Sequence, residues 1–165
     1  MPRVYISLGS NIDREKNIEI AVRELNDSYG PLMLSTVYES EPVGFDGDYF
    51  LNLVAGFDTD SPIEPVITRL RAIEKASGRD RQNNDDHSRT LDIDLLIYGD
   101  LSRHDDEIDI PREEIGHYAF VLLPLAEIAP EHRHPETGIP FGKMWSSFPG
   151  GEQQLWPADF ELPVM

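Results

Sequence analysis

Thr90-Leu91-Asp92-Ile93-Asp94-Leu95-Leu96-Ile97-Tyr98-Gly99-Asp100 is the stretch on which the reading of this chain turns. Its β-branched, aromatic and leucine residues, closed by Gly-Asp, predict one strand. Residues alternate sides along a strand, so Thr90, Asp92, Asp94 and Leu96 share one face, and Leu91, Ile93, Leu95 and Ile97 share the other. Two carboxylates then stand side by side on a rigid platform. Like charges a few ångströms apart repel, so a fold that keeps both ionised usually supplies a cation. Paired oxygen ligands suit magnesium bridging to phosphates. The competing reading is a half-exposed strand with a polar face, since Asp-x-Asp triplets are common in acidic chains even though Asp is disfavoured in strands.

Just ahead of this strand the basic residues gather. Arg69, Arg71, Lys75, Arg79, Arg81 and Arg89 put six of the chain's 14 Lys and Arg into 21 positions. Basic side chains beside a paired-carboxylate metal site make a place for a polyanion that arrives with its own cation. The whole chain is acidic, with 31 Asp and Glu and a formal net charge of -17. That excess argues against nucleic acid or an anionic membrane as partner. With no cysteine, thiol catalysis, disulfides and cysteine-ligated zinc are excluded. Residues 1–165 fit one domain, and Met1-Pro2-Arg3-Val4-Tyr5-Ile6 shows no apolar signal core. No apolar run reaches membrane-spanning length, so a cytoplasmic protein is expected.

Read outward from its centre, the chain alternates strand and helix patterns. Residues 3 to 8 form a first strand, broken by Gly9-Ser10-Asn11. Asp13 caps a helix that carries Ile18, Val22 and Leu25 at helical spacing and stops at Tyr29-Gly30. Leu32 to Glu39 reads as a second strand, Ser40 to Asp48 as a turn-rich loop and Tyr49 to Asp58 as a third strand. Pro62 opens a second helix with Ile63, Val66, Ile67, Leu70 and Ile73 inward, ending near Ser77-Gly78. A polar loop, Arg79 to Ser88, then leads into the Asp-x-Asp strand. The order β-α-β-β-α-β predicts an α+β, ferredoxin-like sandwich, an antiparallel sheet with both helices on one face and the other face free for a ligand. Beyond it lie an acidic excursion ending in a short strand at Ile108-Asp109-Ile110, a helix over Phe120 to Ile128, a short helix at Phe141 to Phe148 and an irregular tail, Leu155-Trp156-Pro157.

The chain contains no P-loop, no dinucleotide fingerprint, no H-E-x-x-H and no G-x-S-x-G. His132 and His134 read as structural or solvated rather than as metal ligands. A phosphate site must therefore be built from arginines and metal.

Several separated pieces together resemble the 6-hydroxymethyl-7,8-dihydropterin pyrophosphokinase family, folate-pathway enzymes that move a diphosphate from ATP onto the pterin's hydroxymethyl oxygen. They are Ser7-Leu8-Gly9-Ser10-Asn11, Tyr38-Glu39-Ser40-Glu41-Pro42-Val43-Gly44, Phe50-Leu51-Asn52, Glu74 and Gly78-Arg79-Asp80-Arg81. Arg89-Thr90-Leu91-Asp92-Ile93-Asp94, Ile110-Pro111-Arg112 and Phe120-Val121-Leu122-Leu123-Pro124-Leu125-Ala126-Glu127-Ile128-Ala129-Pro130 complete the set, in family order.

The resemblance implies a role for each piece. Phe50 and Phe120 would cover the two faces of the pterin, and Asn52 with backbone groups near Ser40 and Val43 would read its edge. Both aromatic rings have core packing as their competing reading. Asp92 and Asp94 would carry two magnesium ions. Arg79, Arg81 and Arg89 would bind the phosphates and act with the aspartates in catalysis, or else pair with local acids such as Asp80, Asp85 and Asp86. ATP is the implied co-substrate, and Glu74 is expected near it, with a solvent-facing role as the alternative. The chain also departs from the family. Arg112 stands where a histidine is usual and Tyr118 where an arginine is usual, so Arg112 and His117 are the expected ATP contacts, while Asp85-Asp86-His87-Ser88 makes the loop unusually acidic. A divergent, monomeric pyrophosphokinase is expected, its alternative being a pterin-binding relative with a decayed ATP site. Residues 79 to 88, with 43 to 48, are expected to close over ATP.

Overall fold

The computed structural model describes residues 1–42, 47–78, 91–150 and 153–162. Strand β1 (Arg3–Ser10) is an interior strand of the sheet, pairing antiparallel with β4 (Phe50–Asp58) on one side and with β5 (Asp92–Tyr98) on the other. Helix α1 (Arg14–Tyr29) buries Ile18, Ala21, Val22 and Leu25, and α2 (Ile63–Ala76) buries Ile63, Val66, Leu70 and Ile73, each set at the spacing of a single helical face. Those faces meet Val4, Ile6, Leu8, Leu53, Ile93 and Leu95 in one core. The expected α+β, ferredoxin-like sandwich is what forms.

Two short pieces, β2 (Met33–Leu34) and β3 (Tyr38–Ser40), both pair with β4, and the sheet order is β5-β1-β4-β3-β8, where β8 is Leu155–Pro157. The expected single strand over 32–39 is therefore interrupted. Between its two parts Ser35 takes over a strand's bonding: its N–H donates to the Val54 carbonyl at 2.9 Å and its Oγ accepts from the Val54 N–H at 2.9 Å. The tail expected to be irregular is instead the outermost strand. Asp13 also differs from its expected role, since it has φ 42° and makes no side-chain cap; its carbonyl accepts the Asn17 N–H instead.

The alternation expected along β5 holds only part of the way. Ile6 pairs with Leu95 but Tyr5 with Ile97, so the register shifts and Leu96 is the extra residue. Leu96 and Ile97 consequently join one cluster with Tyr5 and Val54, while Ile93 and Leu95 face α1 and α2. That second cluster exists because the far face of the sheet is not free along its whole length. The helix α3 (Ala119–Ile128) and the short α4 (Phe141–Ser146) cover the Tyr5, Val54 and Ile97 end through Val121, Leu122, Leu125 and Phe141. Close approach there requires Gly56: a Cβ would stand 2.7 Å from the Tyr5 ring and 2.8 Å from Met33. A hairpin of β6 (Arg103–His104) and β7 (Asp109–Ile110) and a 3-10 turn at Glu113–Gly116 link β5 to α3. Among the described residues no helix is long and apolar enough to cross a membrane.

Candidate active site

Where α3 stops covering the sheet, a cavity of about 330 Å³ opens between the two. Its floor is set by strand register. Gly9 pairs with both Asn52 and Asp92, Ser7 with both Val54 and Asp94, and Ser40 with Phe50, so these residues share the outward face across four strands. Gly9 gives the floor a backbone surface beside Asn52, whose Oδ1 would lie 3.5 Å from a Cβ there, an ordinary contact distance. Asn52 is 5% exposed and donates from Nδ2 to Ser40 Oγ at 2.8 Å, which fixes the plane of the amide at the cavity edge.

The opposite wall comes from the approach to α3. Tyr118 and Phe120 both line the cavity and stack on each other, with ring centroids 5.1 Å apart and planes inclined by 22°. Arg112 lines it as well, its Nε donating to Glu114 Oε2 at 2.5 Å and its N–H to the Leu96 carbonyl at 3.3 Å. Burial disfavours the Arg112 guanidinium charge, but Asp94 and Glu114 outweigh this and hold its pKa above the ordinary arginine value.

Of the residues singled out in the sequence, Ser40, Phe50, Asn52, Asp92, Asp94, Arg112 and Phe120 all meet in this cavity. Two do not. His117 has a 60% exposed side chain whose Nε2 lies 3.2 Å from Glu113 Oε1, outside the cavity. Glu74 is 2% exposed and lies beneath β5, so its solvent-facing reading does not hold. Its Oε2 accepts the Ile93 N–H at 2.7 Å and its other oxygen pairs with Arg71. Arg71 in turn donates to the Ile93 carbonyl at 3.0 Å and approaches Asp94 Oδ1 to 4.0 Å. The pair therefore holds α2 against the strand that bears the two aspartates. Arg71, Tyr118 and Glu114 were given no cavity role from the sequence. Arg71 reads there only as one of the clustered basic residues, Glu114 has the look of an ordinary surface charge, and the signal for Tyr118 was its spacing of two from Phe120. Val43, Arg79, Arg81 and Arg89, with the expected closing segment 79–88 and most of 43–48, lie outside the described residues.

The donor set suits a hard cation. Glu41, Asp92, Asp94 and Glu114 line the cavity against one described guanidinium, Arg112. Among the described residues no group of three or more His, Asp or Glu closes around an ion. Two carboxylates whose Cα atoms are about 6.6 Å apart along one strand face, lining an open cavity, suit magnesium, which keeps waters and takes phosphate oxygens.

Fold and cavity define an α+β sandwich with a small-molecule site that joins an aromatic slot to paired carboxylates. The model of the 7,8-dihydro-6-hydroxymethylpterin-pyrophosphokinase (HPPK) family matches residues 5–130, and the chain belongs to that family. It is 34% identical over 146 residues to a 2-amino-4-hydroxy-6-hydroxymethyldihydropteridine pyrophosphokinase of Porphyromonas gingivalis, covering 85% of this chain and 99% of the relative. Similarity to the folic acid synthesis protein FOL1 of Dictyostelium discoideum is 31% over 150 residues, 90% of this chain and 23% of that one. The wild-type HPPK-DHPS of Plasmodium falciparum, crystallised with pteroate, shares the fold with a TM-score of 0.66 at 15% identity. The alignment covers 89% of this chain and 42% of that protein, so the chain spans less than half its length.

Proposed function

We propose that the chain transfers a diphosphate from ATP to the hydroxymethyl group of 6-hydroxymethyl-7,8-dihydropterin, releasing AMP, as a step of folate biosynthesis. The observation that carries this is the shared cavity: Phe50, Asn52 and Ser40 stand on the same sheet face as Asp92 and Asp94, and Phe120 lines the wall across from them. A flat heterocycle lodged between Phe50 and Phe120 would bring its hydroxymethyl arm toward the carboxylates. Asn52, oriented by Ser40, would read the ring's polar edge. In the transfer, the hydroxymethyl oxygen attacks the β-phosphorus and forms the new P–O bond. The bond from that phosphorus to the α-β bridging oxygen breaks, AMP leaves with the oxygen, and the hydroxyl proton passes to solvent.

Positioning and charge stabilisation supply most of the catalysis in such transfers. Asp92 and Asp94 would hold two magnesium ions, whose charge, when they are bound, neutralises the phosphates. Arg112, fixed by Glu114 and facing Asp94, is the described cation that would meet the phosphates, and Arg79, Arg81 and Arg89 would add to it. Arg71 and Glu74 would keep β5 in place. We take residues 1–165 as one domain, acting as a cytoplasmic monomer.

The test is AMP release from ATP with magnesium and the pterin, with Asp94→Ala as control. AMP that forms only with pterin, and not in the variant, supports the reading. Pterin binding without any AMP would oppose it.

A further inference from the structure

The two sides of the aromatic slot belong to different elements, Phe120 to α3 and Phe50 to β4 with Ser40 of β3 paired beside it, and a segment outside the family-matched residues 5–130 joins α3 to β3. On one side β8 is laddered onto β3, with Ser40 opposite Leu155, Glu39 opposite Trp156 and Tyr38 opposite Pro157. Trp156 Nε1 donates to Glu39 Oε1 at 2.8 Å, and Glu39 is held by Arg14 at 2.6 Å. The Trp156 ring also meets Tyr49 edge-on at 5.9 Å. On the other side stands Gln153, two residues before β8. Its Oε1 accepts the Ala119 N–H at 2.8 Å and its Nε2 donates to the His117 carbonyl at 2.8 Å. Ala119 opens α3, and the preceding Tyr118 supplies no side-chain cap. A helix's first N–H groups have no partner within the helix, so Gln153 serves as the cap from a distance. The backbone it grips runs between His117 and Ala119, across Tyr118 and one residue short of Phe120.

We propose that residues 153–157 form a strap that sets the width of the aromatic slot, with Gln153 as a positioning residue for the flat ring of the substrate. The inference rests on the pterin reading above. A ring sandwiched between two others needs about 3.5 Å to each, and a slack of 0.5–1 Å forfeits a quarter to a half of each contact's attraction. Through Gln153 the Phe120 wall is tied to β8, and through β8 to the strand opposite Phe50. A second, open hollow of about 450 Å³ shares this wall, lined by Phe120, Ser40 and Glu41 and by Gln153, Gln154 and Leu155. Without the strap's grip, that hollow is the space into which Phe120 can retreat.

The test uses the full chain carrying Gln153→Ala and, separately, Gln153→Glu, which keeps the acceptor for Ala119 but loses the donor to His117. KM for the pterin should rise about tenfold in Gln153→Ala and less in Gln153→Glu, an energy of about 1.4 kcal/mol for the tenfold change. The value of kcat at saturating pterin and KM for ATP should stay near wild type, and the thermal midpoint should fall by no more than the few degrees that one lost helix cap costs. In a Trp145→Phe background, Trp156 is the sole tryptophan, and pterin should change its emission in wild type more than in Gln153→Ala. An unchanged pterin KM in Gln153→Ala overturns the proposal. So does a parallel loss of pterin affinity, ATP affinity and thermal midpoint, which marks general loosening. A wild-type chain that ignores the pterin altogether would bring down the functional reading and the strap's role with it.

Discussion

Asp92 and Asp94 stand on the cavity face because β5 alternates cleanly up to Leu95, and this much could be read from Thr90-Leu91-Asp92-Ile93-Asp94 alone. Asp94→Ala is expected to lower kcat at least about 100-fold, as removal of one preorganised charge contact does elsewhere. Pterin binding measured without ATP should change less than twofold. Loss of pterin binding in that variant would show that Asp94 shapes the slot instead. Arg71 and Glu74 were singled out in the sequence, but their place behind the aspartates was not legible. Arg71 and Glu74 are three apart on a helix, the spacing of countless solvated pairs, and only packing of α2 against β5 turns Glu74 into a buried acceptor for Ile93. Glu74→Gln should therefore destabilise the chain by about 1–3 kcal/mol, because it leaves a buried hydrogen-bond set mismatched. A denaturant midpoint equal to wild type would contradict this.

At the scale of elements, the helices and the central strands followed from apolar spacing, whereas β2 and β3 did not read as separate. Nothing in Leu32 to Glu39 announces that Ser35 will replace the ladder with its own hydroxyl, or that Thr36 will be drawn to another element. Glu127 of α3 accepts from the Thr36 N–H at 3.1 Å, from Thr36 Oγ1 at 2.7 Å and from the Tyr38 hydroxyl at 2.9 Å. Burial, and then this carboxylate, push the Tyr38 hydroxyl up to about 12. Glu127→Ala should cost about 1 kcal/mol, chiefly by removing the acceptor of the part-buried Tyr38 hydroxyl while water takes its place at exposed Thr36, measured by chemical unfolding. The β6–β7 hairpin carries a pH-dependent tie. His104 pairs with Asp109 and, at 2.7 Å, with Glu136, and these bonds raise its pKa above the ordinary 6.5. A raised histidine contributes its stability fully below about pH 6.5 and loses it as the pH climbs through the folded-state value. The thermal midpoint should thus fall slightly on going from pH 6 upward in wild type and lack that component in His104→Gln. Identical pH profiles would remove His104 from the account.

At the scale of the molecule, one sheet serves two purposes: α1 and α2 seal one face, while α3 covers only half of the other and leaves the cavity at its edge. The order of patterns foretold the first face. The second depends on a register shift at Leu96 and on a strand, β8, whose short Leu155-Trp156-Pro157 carries no periodicity to read. The net charge of -17 is spread over the whole chain, yet the cavity brings Arg112 against Asp94, and a polyanionic substrate there calls for added cations. The most direct test of the central claim is phosphorus NMR of a reaction holding the chain, ATP, magnesium and 6-hydroxymethyl-7,8-dihydropterin. Equal amounts of AMP and a pterin diphosphate are expected. ADP with a pterin monophosphate, or ATP that persists unchanged, would contradict it.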